Sequence, residues 1–163
     1  MTRDSDFKMI VRTRMAATGE TYTAALAAVR ATRDAPSDGS EPEAAAYDEA
    51  RREQERLVRR LFIDGRIAQV PAKRKTRAAV LLEVLSRFEP GRVYTEPEVN
   101  EVLRDVHEDF AYLRRELVNY HYLEREGGRY RTAREAPQRM PAERQEIPAW
   151  EAVWLPGFLA RAT

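Results

Sequence analysis

The histidine and acidic residues near position 107 are the first candidates for catalytic or metal chemistry. The chain has two histidines, His107 and His121, and Asp105 and Asp109 stand two residues on either side of His107. A helix would spread residues at this spacing over different faces, and neither histidine belongs to a zinc-ligand spacing. The chain has no cysteine and no glycine-rich phosphate loop, nucleophile elbow or paired catalytic carboxylates. We therefore predict neither an enzyme nor a metal or cofactor site.

Basic residues are concentrated between Arg51 and Arg77. This stretch has ten lysines and arginines against three acids, a local charge of +7, whereas the net charge of the whole chain is +1. Clustered cations neutralise phosphates. Lys73, Arg74 and Lys75 stand where a helix is predicted to start, which is unfavourable for cations unless an anion lies nearby. Phosphate contact and a solvated basic face are the two interpretations of this stretch.

A predicted helix that begins near Asp109 carries a second group of candidates. Tyr112, Arg114, Arg115 and Asn119 could face a nucleic-acid groove, where arginine binds base edges and phosphates. A predicted hairpin after this helix adds three more arginines. Together with the basic stretch, the candidate nucleic-acid-binding residues are Arg59, Arg60, Lys73, Arg74, Lys75, Arg77, Tyr112, Arg114, Arg115, Arg125, Arg129 and Arg131.

Acidic residues near the same helix favour a structural role for two of these arginines. Glu108 and Asp109 suit a helix N-terminus, but their carboxylates would repel a phosphate backbone. Glu108, Asp109 or Glu116 could pair with Arg114 or Arg115 on one helix face. Base contact and ion pairing are therefore alternatives for Arg114 and Arg115.

Apolar residues at helical spacing predict the elements that position these side chains. A first helix carries Ala78, Leu81, Leu82, Leu85 and Phe88 and ends at Pro90 and Gly91. Thr95 and Glu98 form a capping-box signature, which predicts that a second helix starts there. The apolar phase changes near His107, and a third helix carries Phe110, Leu113 and Leu117. A tight turn between the last two helices is the helix-turn-helix spacing.

A hairpin is predicted directly after the third helix. Gly127 and Gly128 supply the positive φ angles of a two-residue turn between residues 122–126 and 129–132. In this register Glu124 faces Arg131 and Arg125 faces Tyr130, which are favourable pairs. A hairpin in this position is a wing. The predicted fold is therefore mainly α with a small β wing, a winged helix-turn-helix domain preceded by an N-terminal helical hairpin and a linker.

The remaining segments complete the predicted organisation. Residues 1–33 form a helical hairpin module, residues 34–43 a flexible acidic linker, and residues 44–133 a basic helix plus the winged domain. The basic helix runs over 44–64 and is stopped by Gly65. Residues 67–70, before Pro71, are extended as a first edge strand. Residues 134–163 form a proline-rich tail whose prolines forbid long regular elements. The aromatic side chains of this tail should cover the domain's own surface or, alternatively, contact a second copy or another protein.

The stretch from Leu61 to Tyr130 resembles the prokaryotic family catalogued as domain of unknown function 2087. Three blocks carry the resemblance, namely DGRIAQVPAKRKTR from Asp64, FEPGRVYTEPEVNEVL from Phe88 and HEDFAYLRRELVNYHYLERE from His107. The resemblance covers about residues 57–132. It implies a winged-helix-like domain found in bacterial transcriptional regulators, and it implies no established activity.

These observations lead to a DNA-binding transcriptional regulator as the expected function, with duplex DNA as the partner. The alternatives are a winged-helix module for protein–protein interaction that does not read DNA and an RNA- or ribosome-associated protein, since a basic surface does not distinguish nucleic acids by itself. A homodimer or another protein partner, bound through the N-terminal hairpin and the C-terminal aromatics, is a further expected contact. No apolar run approaches the roughly 20 residues that span a bilayer, so we expect a cytoplasmic protein without a membrane partner.

Overall fold

The computed structural model describes residues 40–162 and, before them, residues 13, 15, 19, 21, 24 and 25. The chain divides into two units, Met1–Ala44 and Ala45–Thr163. In the first unit Thr13 and Met15 are helical, and the Gly19 N–H donates to the Met15 carbonyl (2.9 Å) at a φ of +71°. A left-handed glycine in this position is a usual helix end. Thr21, Ala24 and Ala25 are also described, and Ala24 and Ala25 are helical. The other residues of the predicted hairpin module and residues 34–39 of the predicted linker lie outside the described residues.

Helix α1 spans Ser40–Val58 and begins inside the stretch predicted as a linker. Glu41 and Glu43 lie in its first turn, where carboxylates interact favourably with the helix dipole, and proline is tolerated there. Residues 40–43 are therefore helical, contrary to the prediction. On the inner side of α1, Ala50, Gln54 and Val58 are buried.

A short hairpin replaces the end that was predicted for α1. Strands β1 (Phe62–Ile63) and β2 (Arg66–Ile67) are antiparallel, and Asp64 (φ +51°) and Gly65 (φ +78°) connect them. Asp-Gly is a preferred pair for a two-residue hairpin turn, so the prediction of helix through Asp64 and of an edge strand over residues 67–70 was wrong in its boundaries. Gly65 acts as a hairpin residue and not as a helix stop.

Helix α2 (Arg74–Leu85) lies at the centre of the second unit. Its buried residues are Ala78, Ala79, Val80, Leu81, Leu82, Val84 and Leu85. The predicted inward residues are confirmed, and the additional burial of Ala79, Val80 and Val84 makes this helix apolar on nearly all sides. Such a helix is packed by neighbours all round. The Gln54 side chain of α1 donates to the Ala79 carbonyl at 2.8 Å and ties the two helices together.

Helices α3 (Glu96–Arg104) and α4 (Phe110–Asn119) follow at the predicted places. The predicted capping box is confirmed, because the Thr95 hydroxyl accepts from the Glu98 N–H (3.5 Å) and the Thr95 N–H donates to the Glu98 carboxylate (2.7 Å). The bonds from the backbone and then the side chain of Thr95 lower the pKa of Glu98. Asp109 caps α4 by accepting from the Tyr112 N–H at 3.0 Å.

The turn between α3 and α4 is held by His107. Its Nδ1 accepts from the Asp109 N–H (3.0 Å), and its Nε2 lies 3.3 Å from the Ala68 carbonyl oxygen, so Nε2 carries the proton. The Ile67 N–H donates to the Val106 carbonyl at 2.9 Å. His107 therefore connects the helix turn to the chain beyond β2, which is a structural role.

A three-stranded antiparallel sheet completes the domain. Strands β3 (Tyr94–Thr95), β4 (Leu123–Glu126) and β5 (Arg129–Thr132) lie in the order β3-β5-β4. The predicted register is confirmed, with Glu124 opposite Arg131 and Arg125 opposite Tyr130. Both turn glycines have positive φ. In the described residues, the protein is mainly helical with two small antiparallel sheets.

The C-terminal segment packs on this domain. It contains α5 (Pro141–Arg144), α6 (Trp150–Leu159) and a 3₁₀ turn at Ala160–Ala162. Helix α6 is a ten-residue element with Pro156 inside it, so the expectation that the prolines forbid long elements was wrong. The buried apolar side chains of α6 stabilise this helix despite the proline. They are Leu155, Phe158 and Leu159, and the half-buried Trp150 and Trp154 pack beside them. The tail therefore covers the domain's own surface.

Replacing Thr95 by alanine should lower the free energy of unfolding by about 1 kcal/mol, because the variant loses the side-chain cap of α3. Thr95→Ser retains the hydroxyl and serves as the control, which should keep most of the stability. Urea unfolding at neutral pH measures both variants. An alanine variant as stable as the serine variant would show that the cap contributes nothing.

Candidate nucleic-acid interface

The twelve predicted contact residues fall in four places in the fold. Arg59 and Arg60 lie in the turn after α1, and the four basic residues between Lys73 and Arg77 lie at the start of α2. Tyr112, Arg114 and Arg115 lie on α4, and the other three arginines lie on β4 and β5. The four groups differ in how many of their charged side chains already form ion pairs within the protein.

Two cations at the start of α2 form ion pairs with acids of the protein itself. Arg74 contacts Glu146 at 2.5 Å and Lys75 contacts Glu53 closely. Burial alone would raise the pKa of Glu53, but the hydrogen bond and charge of Lys75 outweigh it and leave that pKa lowered. These pairs reduce the positive field that the local charge of +7 predicts.

Arg77 has a structural position. Its guanidinium donates to the carbonyls of Pro71 (3.0 Å) and Ala72 (2.7 Å), and it contacts the buried Glu116 of α4 at 3.3 Å. Only 21% of the Arg77 side chain is exposed. The sequence proposed Glu116 as a partner for Arg114 or Arg115, but Glu116 binds Arg77 and the Asn119 amide instead.

A cleft of about 280 Å³ lies between α4 and the hairpin. It brings together three predicted contact residues, namely Arg114 and Arg115 of α4 and Arg125 of β4. The residues that line it are Ala111, Arg114, Arg115, Val118, Asn119, Arg125 and Tyr130. Residues 111, 114, 115 and 118 lie on one face of α4. The sequence prediction missed Ala111 and Val118 because it selected residues by charge and not by helix face.

Glu96, at the start of α3, binds one arginine of α4 and one arginine of the hairpin beside this cleft. Its carboxylate lies 3.1 Å from Arg114 and 3.8 Å from Arg125, and it accepts from the Tyr130 hydroxyl at 3.2 Å. Burial raises the pKa of Tyr130, so this hydroxyl stays protonated. Arg114 also donates to Asn100. The sequence prediction missed Glu96, because its partners lie 18 to 34 residues away along the chain.

Several of the other predicted contact residues have no acidic partner and can bind an anion. Arg115 is exposed and lies 5.7 Å from the Tyr112 ring, and Arg129 is exposed without a polar partner among the described residues. Arg131 is paired with Glu124 at 2.8 Å. Arg59, Arg60 and Lys73 are exposed, and they too lack a side-chain partner in the part of the chain that the structure describes. Arg115 lines the cleft, whereas Arg129 lies on the face of the hairpin opposite Arg125 and Tyr130, and each can bind an anion without breaking an ion pair.

No group of three histidine, cysteine, aspartate or glutamate side chains in residues 40–162 and the few described before them is placed to hold a metal ion. None of the helices in that part of the chain has the length and apolar character needed to cross a membrane.

The fold and cleft define a mainly helical domain that presents arginines from a helix and an adjoining hairpin. Residues 66–132 match the model of the family described as "Uncharacterized protein conserved in bacteria (DUF2087)". The resemblance to domain of unknown function 2087 is confirmed over these residues, which form the part of the protein from β2 to β5. No curated protein and no solved structure matches the chain.

Replacing Arg77 by glutamine should lower the free energy of unfolding by about 2 kcal/mol, because Glu116 loses its cation in a largely buried position. Lys73→Gln is the matched control, since Lys73 is exposed at the same end of α2, and it should change stability by less than about 0.5 kcal/mol. Urea unfolding of both variants tests this. Equal stability of the two would contradict a structural role for Arg77.

Proposed function

We propose that the domain formed by residues 44–133 is a winged helix-turn-helix that binds duplex DNA and acts in transcription regulation. The element order supports the fold part of this proposal. Helix α2, strand β3, helices α3 and α4 and the β4–β5 hairpin follow one another as in a winged helix-turn-helix, and β5 pairs with both β3 and β4. In this interpretation α4 is the recognition helix and the hairpin is the wing.

The observation that carries the functional part is the cleft between α4 and the hairpin. Arginine is the side chain best suited to bind phosphates and guanine edges, and this cleft is lined by three arginines. Arg115 lies on the exposed face of α4 and Arg129 at the tip of the hairpin. A helix in the major groove with a wing on the neighbouring backbone would use both residues.

The acidic start of α4 is compatible with this use. The Asp109 carboxylate is engaged in capping the helix, so its charge is directed at the backbone N–H groups of α4. Because many cations are paired, we expect affinity to come from few phosphate contacts and to be modest. Few contacts also imply a shallow dependence of affinity on salt.

A salt titration of duplex DNA binding tests the proposal. The Arg115→Ala, Arg129→Ala double variant should reduce the slope of log affinity against log salt by about 2, since each phosphate contact contributes about 1. Arg161→Ala removes the same kind of charge from an exposed position in the 3₁₀ turn and should leave the slope unchanged. No binding of the wild-type chain at low salt would overturn the proposal.

Removing the charge of Glu96 should strengthen DNA binding. Glu96→Gln releases Arg114 and Arg125 and removes an anion from the cleft, so affinity at low salt should rise by up to about fivefold, the effect of one exposed ion pair. Glu101→Gln neutralises an exposed acid of the same helix and is the control. A loss of affinity in Glu96→Gln would show that the Glu96 contacts position the arginines for binding.

The extensive ion pairing favours one alternative, a protein-interaction module that does not read DNA. It is distinguished by the same titration, in which the wild-type chain would not bind duplex DNA. Competition with structured RNA separates the RNA- or ribosome-associated alternative, because an RNA-binding protein would prefer that competitor. A measurement of mass in solution tests the proposed homodimer.

A further inference from the structure

A second cavity lies away from the α4–hairpin cleft. It has a volume of about 740 Å³ and lies between α1, the first turn of α2 and residues 136–152 of the C-terminal segment. Part of its wall is apolar and is formed by Ala136, Pro137, Ile147, Pro148 and Ala152. Its size and mixed lining are those of a small-molecule site.

A buried polar group forms one side of this cavity. The Glu151 carboxylate accepts from Arg139 Nε (3.0 Å), Arg139 Nη2 (2.9 Å) and the Tyr122 hydroxyl (2.5 Å). Burial, reinforced by Glu151, raises the pKa of Tyr122, so its hydroxyl is a donor. Burial alone would lower the pKa of Arg139, but the Glu151 hydrogen bond and charge outweigh it and raise that pKa.

These bonds hold the Arg139 guanidinium in one orientation. Its Nη2 also donates to the Tyr120 carbonyl at 2.8 Å, and Nη1 takes part in none of these bonds. The Arg139 side chain is 12% exposed, and Arg139 lines the cavity. A fixed guanidinium loses little conformational entropy when it binds an anion.

A second arginine lines the same cavity. The Arg144 Nε donates to the Arg139 carbonyl at 3.2 Å, and the exposed Arg144 side chain has no acidic partner among the described residues. The two acids of the cavity are already paired, Glu151 with Arg139 and Glu53 with Lys75. The cavity therefore carries an excess positive charge at Arg144 beside an apolar wall.

We propose that this cavity binds a small organic anion, a carboxylate carried on an apolar body. Arg144 and the Nη1 of Arg139 bind the carboxylate, and the wall that contains Ile147 and Pro148 packs against the apolar body. A divalent cation is disfavoured, because Glu53 and Glu151 are occupied by cationic side chains. The proposal does not depend on DNA binding.

Titration of the isotope-labelled full chain with benzoate, followed by amide NMR shifts, tests the proposal. Benzoate has few atoms, so the expected Kd is on the order of 1 mM, with shifts centred on residues 136–152. Benzamide, a neutral molecule of the same shape, and inorganic phosphate, an anion without an apolar body, should each bind at least about fivefold more weakly.

Arg144→Gln should weaken benzoate binding by about fivefold or more. This side chain is exposed, so the variant should fold. Arg134→Gln removes an exposed arginine that does not line the cavity and should bind benzoate as the wild type does. The proposal is overturned by the absence of benzoate shifts, by equal binding of benzamide or phosphate, or by unchanged affinity in Arg144→Gln.

Discussion

Helix α2 is enclosed by the rest of the domain, and the other elements depend on that enclosure. Residues 78–82 of α2 are each at most 1% exposed, and so are Val84 and Leu85. A helix that is apolar on nearly all sides has to be covered by several neighbours. The core around it takes in side chains of α3, α4, the sheet and α6. The position of the α4–hairpin cleft therefore follows from packing and not from the cleft residues themselves.

Charge pairing is the second constraint, and it limits what the basic residues can do. Arg77 secures the start of α2 to α4 through Glu116. The paired Arg139 and Glu151 secure the C-terminal segment to the domain through Tyr120 and Tyr122. When a guanidinium moves out of a largely buried ion pair, its carboxylate partner is left buried and unpaired, which costs stability. The cations available for a partner are consequently exposed ones, such as Arg115 on α4, Arg129 in the hairpin and Arg144 in the C-terminal segment.

The local elements of the domain were largely predictable from sequence. The Thr95–Glu98 capping box, the apolar spacing in α2 and the Gly127–Gly128 hairpin with its register all agree with the structure. The exceptions arise where two local signals compete. Gly65 was interpreted as a helix end, although Asp64 before it makes the pair a hairpin turn, and Pro156 was interpreted as a helix breaker, although the burial of Leu155 and Phe158 outweighs it.

The sequence by itself determined helices α2, α3 and α4, the β4–β5 hairpin and the family resemblance of residues 66–132, because caps, turns and periodicity act over a few residues. Only the tertiary structure decided which charges are free. Arg77 and Glu116 are 39 residues apart, and Arg74 and Glu146 are 72 residues apart. Tyr122 and Arg139 converge on Glu151 in the same way. Ion pairs over such distances form when packing brings the elements together, so no local spacing predicts them.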